Sequence, residues 1–329
     1  MRWLLCFALL FLAPAQMAMA EVDSQDELFD EAEHTARMLE LIETLIESPD
    51  PTRQAAGLLM VEHAGWAGWY TEEPLRSGVE VLDQLYALID QADTPLARTL
   101  LAQLCAATSI QSACVRRGLD EAILRLDGGN LIARLMLIET GDHDRIRDVV
   151  IAAESINEHH MDLALLLLDA MEAQGVFSRE EMTTAPMIYG LLIIPPFQHF
   201  TRLCTEPAAN DTDLNQACDR ITHKMTDNTG SLILTMIGAS ITARRLAAEG
   251  ATDALEKHEE WRAAHREWLT CVGSAGEKVR EEADEQFTRE LIEHWQRHGE
   301  ASAQALLAEK AGLDCEPLES PVVYRPENN

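Results

Sequence analysis

Apolar positions recur along this chain at helical spacing, and nowhere does a long alternation of apolar and polar residues appear. Leu28, Ala32, Thr35, Leu39, Ile42 and Ile46 are spaced alternately four and three apart, which predicts a helix burying that face. Asp50 followed by Pro51 reads as an N-cap with proline at the first helical position, and predicts a second helix to about Ala64. The same reading predicts helices over 75–90, 95–107, 118–126, 131–139 and 144–155, the last with Ile146, Val149, Val150 and Ala153 on one face. A helix over 160–173 is expected to stop at Gly175, since glycine takes the left-handed conformation of a C-terminal cap most easily. Ser178-Arg179-Glu180-Glu181 and Ser274-Ala275-Gly276-Glu277 both fit a capping box, and the second predicts a helix running to about His298. Further helices are expected over 196–204, 211–226, 232–248, 253–271 and 302–311. So many short helices predict an all-α fold, an α-solenoid-like array of antiparallel helix pairs.

The N-terminus departs from this pattern. Arg2 is the one charge before Glu21, Leu4–Leu12 is a compact apolar block, and Ala18-Met19-Ala20 offers small residues for cleavage. A basic start, a short apolar centre and an A-x-A end predict a signal peptide at 1–20, cleaved near Ala20. The block is too short for a spanning helix, which needs roughly 20 apolar residues. No later segment is apolar for long enough either. The expected destination is the periplasm or the exterior. The remaining chain reads as an N-terminal helical array over 21–175, a C-terminal helical region over 176–315 and an extended or disordered tail over 316–329, which carries Pro317, Pro321 and Pro326.

Export changes what the cysteines mean. Cys105, Cys114, Cys204, Cys218, Cys271 and Cys315 remain after cleavage, and an even count in an oxidising compartment implies disulfides. Six cysteines allow fifteen pairings; their grouping favours Cys105–Cys114, Cys204–Cys218 and Cys271–Cys315. No pair shows the C-x₂₋₄-C spacing typical of zinc sites. Charge narrows the partners. With 26 Lys+Arg against 56 Asp+Glu the net charge is −30. That balance disfavours nucleic acid and anionic lipid; it either simply keeps an exported protein in solution or steers it towards basic partners.

Asn130-Leu131-Ile132-Ala133-Arg134-Leu135-Met136-Leu137-Ile138-Glu139, with Gly141-Asp142 and then Ile146, Val150 and Ala153, resembles a tetratricopeptide-type helix pair. Arg134 and Ile146 stand where that pattern has small residues. With the signal, the Ser48-Pro49-Asp50-Pro51 turn and the spaced cysteines, the whole is similar to uncharacterised exported helical-repeat proteins of Gram-negative bacteria. The resemblance implies a helical-repeat scaffold and brings no activity with it.

Candidate chemistry is sparse. No G-x-S-x-G, P-loop or dinucleotide glycine pattern occurs, and no cofactor is expected. Glu158, His159 and His160, close to Asp162, form the densest polar cluster and the first catalytic candidates; acidic neighbours are expected to raise the pKa of an imidazole among them. His294 and His298, four apart on a helix, could share a metal with Glu290 or Glu293; a polar helix end accounts for them more simply. Trp66, Trp69 and Tyr70 form a glycine-punctuated aromatic patch able to anchor a partner, or to fill the core between two helices. The balance favours a protein–protein interaction module. The alternatives are an acidic inhibitor or immunity-type binder of a cationic protein, and an enzyme without a recognisable motif.

Overall fold

The computed structural model describes residues 31–67, 76–107, 110–126, 129–138, 143–179, 181–182, 185–186, 197–205, 211–227, 230–280 and 285–315. Among these, the fold is all-α, the one departure being an isolated bridge between Asn130 and Ser155. The helices are α1 (Glu31–Ile46), α2 (Pro51–Ala67), α3 (Gly78–Ile89), α4 (Pro95–Ala106), α5 (Gln111–Arg116), α6 (Leu119–Leu126), α7 (Leu131–Met136) and α8 (His143–Ala152). They continue with α9 (His160–Gln174), α10 (Gln198–Thr205), α11 (Thr212–Thr226), α12 (Leu232–Glu249), α13 (Thr252–Arg280), α14 (Glu285–His298) and α15 (Glu300–Lys310).

Several boundaries follow from the expected caps. The Asp50 carboxylate accepts the Thr52 amide at 2.8 Å, and Gly175 ends α9 at φ 66°. At Ser178 the box is reciprocal: the Glu181 amide donates to Ser178 Oγ, and the Ser178 amide donates to Glu181 Oε2. Elsewhere the structure corrects the sequence. Ser274 opens no helix: α13 runs straight through it, and its hydroxyl donates back to the Thr270 carbonyl at 3.0 Å. Val272, Ala275 and Val279 are buried along this stretch, and that packing keeps the helix going. The buried face of α1 is also displaced. Ala32 is exposed and Thr35 and Leu39 are half-buried, whereas Met38, Leu41, Ile42, Leu45 and Ile46 are buried.

The α1–α2 contact itself is tight at Gly57. An atom added as Cβ at Gly57 would lie 2.8 Å from Ile46 Cγ1, 2.9 Å from Leu45 Cβ and 3.0 Å from the Ile46 amide nitrogen. The α1–α2 crossing is therefore close enough that only glycine fits. Gly238 plays the same part on α12 against Met225 and Thr226 of α11. Gly57→Ala is expected to destabilise the protein by about 1–3 kcal/mol through overpacking, although alanine favours helix by about 1 kcal/mol. Thermal denaturation checks it: an unchanged or raised Tm contradicts the close crossing.

One continuous apolar core runs from Met38 on α1 to Ala303 on α15. Chain neighbours pack, as α1 does with α2 and α11 with α12, and distant helices pack as well, as α9 does with α14 and α8 with α11. A smaller cluster joins Trp268, Val272 and Ala275 of α13 to Ala308 and Cys315. All three expected disulfides form: Cys105–Cys114 links α4 to α5, Cys204–Cys218 links α10 to α11, and Cys271–Cys315 ties α13 to the segment after α15. No helix among the described residues is long and apolar enough to cross a membrane.

Candidate functional site

The approach to α9 is fixed by one buried side chain. Asn130 caps α7 by accepting the Ile132 amide, accepts the Asn157 amide at 3.0 Å, and donates to the Asn157 carbonyl at 3.0 Å. The Leu131 amide donates to the Ser155 carbonyl alongside. This clamp delivers Glu158, His159 and His160 to the start of α9. His159 sits there at φ 52°, the one non-glycine residue with positive φ among the described residues. A strained backbone at a polar helix start is a feature that functional sites share.

The turn sends the three neighbours in different directions. His159 bonds through Nδ1 to Asp162 at 2.8 Å, and Asp162 also accepts the Gln296 amide at 2.6 Å. Both residues line a shallow pocket with Asp50, Thr52, Thr94 and Leu166, where the two threonine hydroxyls lie 3.0 Å apart. His160 and Glu158 face inwards. His160 Nδ1 is 3.3 Å from Glu158 Oε2, and its ring meets Trp295 of α14 edge-on at 5.6 Å. The cluster in the sequence is thus two sites back to back.

The inward site gathers residues remote in sequence. Glu158 is 7% exposed, and its Oε1 has no hydrogen-bond partner. Burial pushes its carboxyl up to about 7, against the opposing pull of the Ser231 hydroxyl. Glu300, the first residue of α15, accepts the Leu232 amide at 2.6 Å at the start of α12. Burial, and Glu158 beside it, push that carboxyl up to about 7 as well, despite the Leu232 bond. The Gly230 carbonyl receives both the Glu300 amide and Trp295 Nε1, each at 3.3 Å. His160 runs opposite to expectation: burial drives its pKa down to about 4, outweighing the attraction of Asp162. A buried ring loses more hydration on charging than a nearby carboxylate returns.

A raised carboxyl pKa has a defined stability consequence. Protonated Glu158 and Glu300 contribute fully below about pH 4.5, the ordinary carboxyl value, and that contribution is lost as pH rises through about 7.

The other candidates fall elsewhere. His294 and His298 lie side by side at 4.6 Å between ring centroids, but His294 Nε2 is engaged with the Ser302 hydroxyl at 2.9 Å. No group of three metal-ligating side chains forms among the described residues. Trp69 and Tyr70 lie outside the described residues, and so does the side chain of Trp66, whose backbone belongs to the last turn of α2.

One surface escaped the sequence reading. Val79 and Tyr86 on α3 are 63% and 64% exposed, and their seven-residue spacing places them on one face. Asp83 lies between them and pairs with Arg117 at 2.7 Å. Val115, at the end of α5, is a further exposed apolar group two residues before Arg117. The signal was present in the sequence: an aromatic and a valine at helical spacing on the polar side of an amphipathic helix. Comparison with known families, with curated proteins and with solved structures returned no match, so function has to be argued from these residues.

Proposed function

We propose that this chain is an extracytoplasmic interaction module whose helical scaffold docks a basic protein through the solvent face of α3. The observation that carries the reading is the exposure of Tyr86 and Val79 around the Asp83–Arg117 pair. Tyrosine and arginine are enriched at interfaces, and a large ring held on a rigid helix anchors a partner at little entropic cost. The net charge of −30 adds long-range attraction for a cationic partner and speeds encounter. Export is supported by the pairing of the six cysteines that follow residue 20 and by the signal-like segment at 1–20, with cleavage near Ala20. The tetratricopeptide-like pair at 130–153 is in keeping with a scaffold of the repeat type.

The test is capture from a periplasmic extract with the mature protein and with Tyr86→Asp, across a range of salt. A basic protein retained by the first, lost with the second and released by salt is the expected result. An identical retained set for both proteins contradicts it. If the captured partner is a cationic enzyme that loses activity when bound, the module acts as an inhibitor.

A second reading rests on His159, which bonds through Nδ1 to Asp162 and lines one pocket with Thr52 and Thr94. An enzyme of that kind requires His159→Ala to abolish a turnover without lowering Tm.

A further inference from the structure

The seam between α9 and α14 is held in two chemically different ways. At one end Arg289 of α14 reaches Asp169 and Glu172 of α9, at 2.6 Å each, and its guanidinium stays charged. At the other end Trp295 and Glu300 close over Glu158 and His160, against the Gly230–Ser231 start of α12. The first end is a half-exposed set of ion pairs around one guanidinium. The second buries two carboxyl groups together, with an oxygen of Glu158 left unpartnered.

We infer that Glu158 is the catch of a proton-operated latch: protonated, it lets α14 and α15 close on α9 and α12, and ionised, it releases that end while Arg289 holds the other as a pivot. Among the described residues, the groups facing Glu158 offer no compensating cation. From α9 comes His160, kept neutral by its own burial, while the nearby His159 is bonded outwards to Asp162. The start of α12 contributes the Ser231 hydroxyl, which also caps the helix through the Leu234 amide. The neighbouring helices add the indole of Trp295 and a second acid, Glu300. An ionised Glu158 thus meets a hydroxyl, a neutral ring and a like charge, and the cheapest relief is entry of water between α14 and α9. Burial holds the Glu158 carboxyl near 7. Release therefore falls at neutral to mildly alkaline pH, and the device is shut in acid.

Amide hydrogen exchange on the whole chain tests the latch, comparing about pH 5.5 with about pH 8.5 after correction for intrinsic rates. Protection at the Leu232 amide and over 295–303 is expected to fall at least about tenfold at the higher pH, while α9 near Asp169 keeps its protection. Glu158→Gln, neutral at every pH, is expected to remove most of that fall, Glu300 alone remaining to titrate; Glu158→Met with the same readout serves should the first variant fail to fold. Wild-type protection independent of pH overturns the latch. So does an unchanged pH response in a folded Glu158 variant, or loss of protection spread evenly over the chain.

Discussion

Phe200→Ala is expected to destabilise the protein by about 3–5 kcal/mol, the usual cost of emptying a buried phenylalanine site. Phe200 is fully buried, at 0% exposure, on α10, a helix of eight residues. So short a helix has almost no stability of its own. It stays in place by packing against α8 and α12 and through the Cys204–Cys218 staple to α11. Removing the ring leaves a void that a disulfide-held helix has little freedom to fill, which puts the loss towards the upper end. Urea denaturation checks it: the midpoint falls while the slope is unchanged. A loss below about 1 kcal/mol would mean that the core around α10 is loose.

The double variant Cys271→Ser with Cys315→Ser is expected to lose about 4 kcal/mol, the chain-entropy value for a staple spanning 44 residues. The effect is concentrated at the C-terminal end, because there α15 meets α13 through the small cluster of Trp268, Val272, Ala275 and Ala308, separate from the main core. Limited proteolysis of the variant is expected to cut after α15 before the main core opens. Cleavage at the wild-type rate contradicts a structural role for this staple. The shorter loops, of 9 and 14 residues, carry less by the same argument, about 3 kcal/mol each.

These two sites show what the sequence could and could not reveal. Local devices were legible. The Asp50-Pro51 and Ser178 caps, Gly175, the face of α8 and all three cysteine pairs depend on residues near one another, or on the even count that export implies. Capping chemistry without context also misled. Ser77-Gly78-Val79-Glu80 is the box that caps α3 and was passed over, whereas Ser274 has the same pattern and lies mid-helix, because its neighbours pack. Nothing local in α1 marks its displaced face either, and the tight contact that α1 makes comes from Gly57 on the next helix.

Glu158 and His160 stand out in the sequence as a polar cluster, but their meeting with Glu300 was beyond sequence reasoning. Glu158 and Glu300 are far apart in the chain, and nothing local marks either as buried. Glu181 is a similar case: His34 and Arg37 of α1 bond its carboxylate from 147 and 144 residues away. Those bonds, with the Ser178 amide, outweigh burial and hold its pKa down to about 2. Only the turn that separates His159 from its two neighbours shows that one run of three polar residues serves two surroundings.

The central claim, that α3 presents a docking face to a basic protein, is tested most directly by site-specific photo-crosslinking. A photoreactive amino acid is placed at Tyr86 and, as a control, at the equally accessible Val176, which is 50% exposed. A single covalent adduct with a basic protein, suppressed by salt, is expected from the Tyr86 position, and none from Val176. Adducts of the same pattern from both positions, or none from Tyr86 under conditions where a partner is captured, would contradict it.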